Sequence, residues 1–168
     1  QCQAVAAKLR AASLRAAAVR YLRRASHSFL MTTTHFSTHS ILIDDNIGWV
    51  TIRGAASRSD IERLVALVTP VLAQVGYLIL VCDVSQAGAL DAEGRRFMAA
   101  WFTRVTVQFI FIRAGTVPRT VITMVDRIGQ LLGRDRQRSI FVNSEGEARE
   151  LIPSLRAELA LRVARRTA

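Results

Sequence analysis

Several residue types that carry out enzyme chemistry are scarce in this sequence of 168 residues. Lys8 is the sole lysine, and the three histidines (His27, His35 and His39) all precede residue 40. Later in the chain we therefore expect neither a Ser-His or Cys-His nucleophile pair nor a Schiff-base or phosphate-binding lysine. No G-x-G-x-x-G motif and no metal-ligand spacing of histidine, cysteine and carboxylate occurs. We expect a chain that is not an enzyme and that uses no metal or cofactor.

Cysteines and long apolar runs are also few. The two cysteines, Cys2 and Cys82, stand far apart, and Cys82 lies in an apolar run typical of a buried strand. This spacing does not predict a disulfide framework, and a reducing, cytoplasmic location is the natural interpretation. No run reaches the length of a membrane-spanning helix. A hydrophobic fraction of 51% with 21% charged residues is sufficient for a core.

The net charge of +10 is unevenly distributed. Residues 1–30 hold six basic residues and no acidic one, whereas residues 31–168 have a net charge of +4. We predict a basic extension, rich in alanine and arginine, over residues 1–38, and a domain over residues 39–168. The chain does not begin with methionine, and Met31 would serve as a start, so the extension is not necessarily native. Arginine used almost without lysine is typical of GC-rich coding, so we do not expect nucleic-acid binding. The basic helix of the extension leaves nucleic-acid binding as an alternative.

Hydrophobic patterning predicts strands that alternate with helices after an initial hairpin. The predicted strands are residues 40–44, 47–53, 77–84, 106–113 and 139–143. The predicted helices begin near Ser59, Asp91, residue 117 and Glu145. The strand at 77–84 is apolar throughout, which is typical of a parallel strand buried on both faces. The fold class is therefore predicted to be α/β, with a mixed sheet that is antiparallel at one edge and parallel in the middle.

Cap and turn residues indicate where these elements begin and end. Ser59 and Glu62 match a capping box at the start of the first helix, and Gly76 would end it. Pro70 favours a kink or an early end of that helix, and Pro153 favours a break in the last one. Residues 85–90 are predicted to form a loop between the buried strand and the second helix.

The segment Leu78–Ser85 is an apolar strand that ends in Asp-hydrophobic-Ser, and Ala89-Leu-Asp-Ala-Glu-Gly94 follows. With the order of elements, these residues resemble the STAS domain of bacterial anti-sigma-factor antagonists over about residues 40–160. In antagonists the strand is followed by an Asp-Ser-Ser-Gly turn, whose first serine is phosphorylated by the anti-sigma kinase. Ala92 occupies that position here and Glu93 the next. The resemblance implies a regulatory protein-binding domain of antagonist type that lacks the usual phosphorylatable serine.

Six residues at the end of this strand and the start of the next helix form the candidate binding site. They are Asp83, Ser85, Asp91, Ala92, Glu93 and Arg95. The carboxyl ends of parallel strands are where α/β sheets usually bind ligands, and a protein partner is expected there. The competing interpretation is structural, because Asp83 can cap the loop while Asp91 and Glu93 stabilise the start of the helix.

A small apolar ligand or lipid is the second interpretation. It rests on the apolar helix predicted over residues 117–132 and on the segment Glu145–Ile152. That segment resembles the end of a divergent SpoIIAA-like branch thought to be related to lipid-binding CRAL-TRIO domains. Trp49 fits either a core position or an anchor for a partner.

Overall fold

Six strands form one mixed sheet in the computed structural model, which describes residues 33–116, 119, 122–123 and 139–166. The strands are β1 (Thr33–Phe36), β2 (His39–Asp44), β3 (Ile47–Ala56), β4 (Leu78–Leu90), β5 (Val107–Ile112) and β6 (Ile140–Val142). They lie in the sheet in the order of the chain. β1, β2 and β3 are antiparallel, whereas β3, β4, β5 and β6 are parallel. The predicted α/β fold, antiparallel at one edge and parallel in the middle, is confirmed.

The helices lie on both faces of this sheet. They are α1 (Arg58–Val75), α2 (Ala92–Phe102) and α3 (Glu145–Arg166). Apart from Val75 at the end of α1, the clustered core residues of α1 and α2 pack on one face, and those of α3 pack on the other. The helix predicted over 117–132 falls largely outside the described residues, as do residues 1–32. Among the described helices, none is long and apolar enough to cross a lipid bilayer.

β4 lies at the centre of the core because its side chains are buried on both faces. Ile79 and Val81 belong to the α3 side, whereas Leu80 and Cys82 belong to the α1 and α2 side. Each of these four residues is 4% exposed or less. This burial confirms the predicted parallel central strand. It also raises the pKa of the Cys82 thiol to about 12, so Cys82 is a packing residue and not a nucleophile.

The sheet includes two segments for which the sequence predicted other structure. β1 pairs with β2, so the sheet begins before the domain boundary predicted at residue 39. β4 continues through residues 85–90, where a loop was predicted, because that segment pairs with the end of β3. The two backbones approach closely: a Cβ on Gly88 would lie 2.8 Å from both the Gly54 carbonyl carbon and the Ala55 nitrogen. Residues 85–90, with their alanines and Gly88, do not alternate between apolar and polar side chains, so the sequence does not indicate a strand here.

The capping box of α1 lies two residues earlier than predicted. Ser57 is the N-cap, and its hydroxyl accepts a hydrogen bond from the Asp60 N–H at 3.3 Å. The Asp60 carboxylate accepts in return from the Ser57 N–H at 2.8 Å. The predicted pair, Ser59 and Glu62, does not form the box, and Glu62 instead accepts from the Arg58 side chain at 2.8 Å. Two overlapping Ser-x-x-acid patterns stand here, and the structure uses the first.

Neither proline breaks its helix. α1 continues through Pro70 to Val75, and α3 continues through Pro153 to Arg166. Apolar residues beyond each proline remain buried, so packing offsets the lost hydrogen bond. Gly76 ends α1 as predicted, with a left-handed φ of 82° and an N–H that donates to the Leu72 carbonyl at 2.8 Å.

The two serines provide a direct test of the capping box. Ser57→Ala should lower the free energy of unfolding by about 1 kcal/mol, because the N-cap hydroxyl is lost. Ser59→Ala is the comparison: it removes the exposed hydroxyl that lies 2.8 Å from the Ser57 hydroxyl but leaves the bonds between Ser57 and Asp60, so it should change the free energy by less than about 0.5 kcal/mol. Urea denaturation measures both. A larger loss of unfolding free energy for Ser59→Ala than for Ser57→Ala would show that Ser59 forms the capping box, as the sequence predicted.

Candidate functional site

The N-termini of α1 and α2 meet at one carboxylate. Asp91 is the N-cap of α2, and its Oδ1 accepts from the Gly94 N–H at 2.5 Å. Its Oδ2 accepts from the N–H of Arg58, the first residue of α1, at 3.1 Å. The first N–H groups of a helix have no partner within the helix, and a carboxylate also suits the positive end of the helix dipole. Asp91 therefore holds the two helix starts together.

Three other predicted site residues, Ala92, Glu93 and Arg95, occupy the exposed first turn of α2. The Glu93 carboxylate lies 3.7 Å from the Arg58 guanidinium and its side chain is 69% exposed. Arg95 donates a hydrogen bond to the Leu90 carbonyl. Ion pairs at such exposure contribute little to stability, so these charges are available to a partner.

Asp83 and Ser85 form a separate group. The Asp83 carboxylate accepts from the Ser85 N–H at 3.0 Å and forms an ion pair with Arg113. Burial would raise the pKa of Asp83, but the hydrogen bonds from Ser85 and the charge of Arg113 outweigh it and hold that pKa below its usual range. Because β4 continues to Leu90, roughly 20 Å of extended strand separates Ser85 from Asp91. The six predicted residues therefore lie in two places.

A small cavity lies beside Asp83, on the α3 face of the sheet. Its volume is about 170 Å³, and it lies beside the middle of β3 and β4, the carboxyl end of β5 and the first residue of α3. Its lining consists of Trp49, Val50, Thr51, Val81, Asp83, Ile112, Arg113 and Glu145. Sequence reasoning missed Arg113, although its place directly after a strand is a usable signal. Its φ of 54° is in the left-handed region, where residues other than glycine are uncommon.

A buried polar cluster on the other side of the sheet was also missed. Asp60 accepts from the hydroxyls of Ser37, at 2.5 Å, and Ser57, at 2.7 Å. His39 is 3% exposed, its Nε2 lies 3.8 Å from Asp60, and its Nδ1 accepts from the Arg53 N–H at 3.2 Å. Burial would raise the pKa of Asp60, but the serine bonds and His39 lower it to about 2. These contacts join β2, β3 and α1, and no local sequence spacing connects them.

No group of three histidine, cysteine, aspartate or glutamate side chains lies close enough to hold a metal ion within the described part of the chain. His39 is enclosed in the polar cluster. The arrangement at the start of α2 can present charges to a partner, and the cavity can hold a small molecule.

Comparison with known proteins finds similarity to solved structures alone. No family model and no curated protein matches the sequence. The anti-sigma factor antagonist SpoIIAA in its unphosphorylated form matches with a TM-score of 0.44 and 11% identity, over 74% of this chain and 96% of that one. An uncharacterized protein of the DUF3478 family from Shewanella loihica matches with a TM-score of 0.49 and 13% identity, over 71% and 97%. The second protein is described as having a SpoIIAA-like fold.

Proposed function

We propose that this chain is a regulatory protein-binding domain of the anti-sigma-factor-antagonist type that acts without catalysis in the cytoplasm. Its partner docks on Ala92, Glu93 and Arg95, which we call the docking turn. The observation that supports this most is the double role of the Asp91 carboxylate, which bonds to the starts of both α1 and α2. A surface that is already rigid loses little conformational entropy when it binds.

The docking turn differs chemically from the phosphorylated turn that the resemblance implies. Ala92 has a methyl group where antagonists have the phosphate-accepting serine, so no phosphate can be attached at this residue. Glu93 supplies one fixed negative charge beside it, whereas a phosphate would carry about two. Binding by this domain is therefore set by the amount of partner and not by phosphorylation of residue 92.

The six predicted residues have different roles in this docking. Ala92, Glu93 and Arg95 contact the partner, and Asp91 positions them. Asp83 and Ser85 lie outside the docking turn, because the extended end of β4 separates them from it. The domain itself is proposed to be the predicted unit of residues 39–168 with β1 added at its edge.

A substitution in the docking turn tests the proposal. A photo-crosslinker at residue 92 identifies the partner, and calorimetry with the purified partner then measures the affinity. Ala92→Arg should weaken binding at least tenfold, because a bulky cation interrupts the centre of the contact, where binding energy is concentrated. The helix start should stay intact, because the bonds of Asp91 go to backbone N–H groups.

The matched control is Ala157→Arg, which adds the same side chain to an exposed position of α3. Its affinity for the partner should equal that of the wild type within about twofold. Equal affinities for Ala92→Arg and the wild type would place the partner on another surface and overturn the proposal.

The alternative of a lipid or small apolar ligand gains no support from the described residues. The cavity of about 170 Å³ is smaller than the usual ligand pocket of roughly 300–1,000 Å³, and charged side chains line it. The apolar helix that motivated the alternative falls largely outside the described residues.

A further inference from the structure

Side chains, in place of a strand ladder, hold the end of β3 to the start of β2. The pairing of β2 with β3 ends at Ser40 and Thr51. Beyond it, the Thr38 hydroxyl donates to the Arg53 carbonyl at 2.6 Å, and the Arg53 N–H donates to Nδ1 of His39 at 3.2 Å. We propose that protonation of His39 in mild acid breaks the second of these bonds, releases the end of β3 and thereby loosens the docking turn.

His39 is neutral while it is bonded to Arg53. An imidazole nitrogen that accepts a hydrogen bond carries no proton, so the proton of the neutral ring is on Nε2. His39 is 3% exposed, and within the described part of the chain its Nε2 has no hydrogen-bond partner. Histidine is the side chain whose charge ordinarily changes between about pH 5 and 8. A proton added to Nδ1 points at the Arg53 N–H, and two donors that face each other form no bond.

Three elements pack against the His39 ring, and one ionised group among the described residues lies close to it. From α1, the Asp60 carboxylate lies 3.8 Å from Nε2. The Phe36 ring of β1 lies edge-on at 5.6 Å, and β3 contributes the Arg53 N–H, while Arg53 itself is exposed. The pKa of Asp60 is about 2, so this carboxylate stays negative in mild acid and offsets the charge of a protonated ring. The serine hydroxyls of the polar cluster already bond to both of its oxygens, so protonation costs the bond with Arg53 and leaves the cluster in place.

The end of β3 leads directly to the docking turn. Residues 53–55 are exposed, and Ala56 is the last residue of the strand. The Ala56 carbonyl accepts from the Asp91 N–H at 3.1 Å, and the next residue, Ser57, is the N-cap of α1. A released strand end therefore loosens Asp91, which positions the docking turn. This inference concerns the movement of the turn itself, so it holds whether or not a partner docks there.

Hydrogen exchange of backbone N–H groups, followed by NMR on the full-length protein, tests the proposal. From about pH 7.5 to about pH 5.5 the His39 ring should gain its second proton. Over the same range the protection factors of the Arg53 and Asp91 N–H groups, corrected for the intrinsic effect of pH on exchange, should fall about tenfold or more. The N–H of Leu80, in the buried part of β4, is the internal reference and should change less than about twofold. A ring that stays neutral, or a protonated ring with either protection factor unchanged, would overturn the proposal.

His39→Asn separates the hydrogen bond from the charge. The asparagine carbonyl oxygen stands two bonds from Cβ, as Nδ1 does, and it accepts from the Arg53 N–H but gains no proton in mild acid. Protection of the Arg53 and Asp91 N–H groups should therefore change less than about twofold with pH. The matched control is His35→Asn, which makes the same replacement at an exposed position of β1 and should keep the acid-induced fall.

Circular dichroism confirms that both variants are folded. Persistence of the acid-induced fall in His39→Asn, or its disappearance in His35→Asn, would assign the effect to another group. Should His39→Asn fail to fold, the wild type alone decides, because the protonation of the His39 ring and the loss of protection at Arg53 have to follow the same pH curve.

Discussion

Replacing Gly94 with alanine should lower the free energy of unfolding by about 2–3 kcal/mol, which is opposite to the usual effect inside a helix. A Cβ on Gly94 would lie 2.8 Å from Oδ1 of Asp91 and 2.8 Å from Cδ1 of Leu90. It would also lie 3.3 Å from the Arg58 nitrogen. The added methyl group therefore forces Asp91 away from the two helix starts that it joins. Both the overpacking and the weakened caps contribute to the loss.

Gly146→Ala is the matched control, because Gly146 also lies in the first turn of a helix. A Cβ there would have one neighbour within 4 Å, the Ser144 hydroxyl at 3.7 Å, which is an ordinary contact. This substitution should raise the free energy of unfolding by about 0.5–1 kcal/mol. Urea denaturation of both variants measures the difference. If Gly94→Ala proves as stable as Gly146→Ala, α1 and α2 do not approach each other as closely as described.

Asp60→Ala should lower the free energy of unfolding by about 2–3 kcal/mol at neutral pH. The Asp60 carboxylate accepts hydrogen bonds from both hydroxyls of the polar cluster and from the Ser57 N–H. Without it these partly buried hydrogen bonds lose their charged acceptor, and the capping box of α1 is lost as well. Chemical denaturation at neutral pH gives the magnitude.

The pH dependence of this difference tests its electrostatic origin. The pKa of Asp60 is lowered from 3.8 to about 2 in the folded protein, so its contribution is present above 3.8 and is lost as the pH falls toward 2. Because the carboxylate lies near the surface, we expect about 1–2 kcal/mol of the difference between wild type and Asp60→Ala to disappear over this range.

The control for the pH experiment is Asp45→Asn, because burial raises the pKa of Asp45 instead of lowering it. A carboxyl group of this kind adds no stability that acid would remove. The free energy of unfolding of Asp45→Asn should therefore fall with acid as much as that of the wild type, whereas that of Asp60→Ala should fall less. Parallel acid profiles for wild type and Asp60→Ala would show that the cluster is held by packing alone.

The fold could be predicted from the sequence wherever apolar periodicity is strong. The run at 77–84 is apolar throughout, and burial on both faces of a central strand is the one arrangement that suits it. The extension of β4 escaped prediction because its alanines and glycines have no pattern, and its pairing depends on the close approach of a distant backbone segment. The capping box was placed wrongly because two overlapping patterns are equally good locally, and the contacts of Asp60 with Ser37 and His39 favour the first.

The candidate site was predictable only in part, for a similar reason. Asp91 as the N-cap of α2 follows from its position before an acidic first turn, and the structure confirms it. The second carboxylate oxygen of Asp91 bonds to α1 because of how the two helices pack. No local sequence pattern encodes this packing. Arg113 was missed because its partner, Asp83, stands 30 residues earlier, on the neighbouring strand.

The strand order has a consequence for how the chain folds. Each strand pairs only with the strands immediately before and after it, so no pairing has to wait for a distant part of the polypeptide. Paired residues of the described strands stand at most 34 positions apart, as Ala56 and Leu90 do, and folding rates rise as the separation between contacting residues falls. During synthesis on the ribosome, each new strand can therefore pair with a strand that has already left the ribosome. The final helix then covers the apolar face that the growing sheet still exposes.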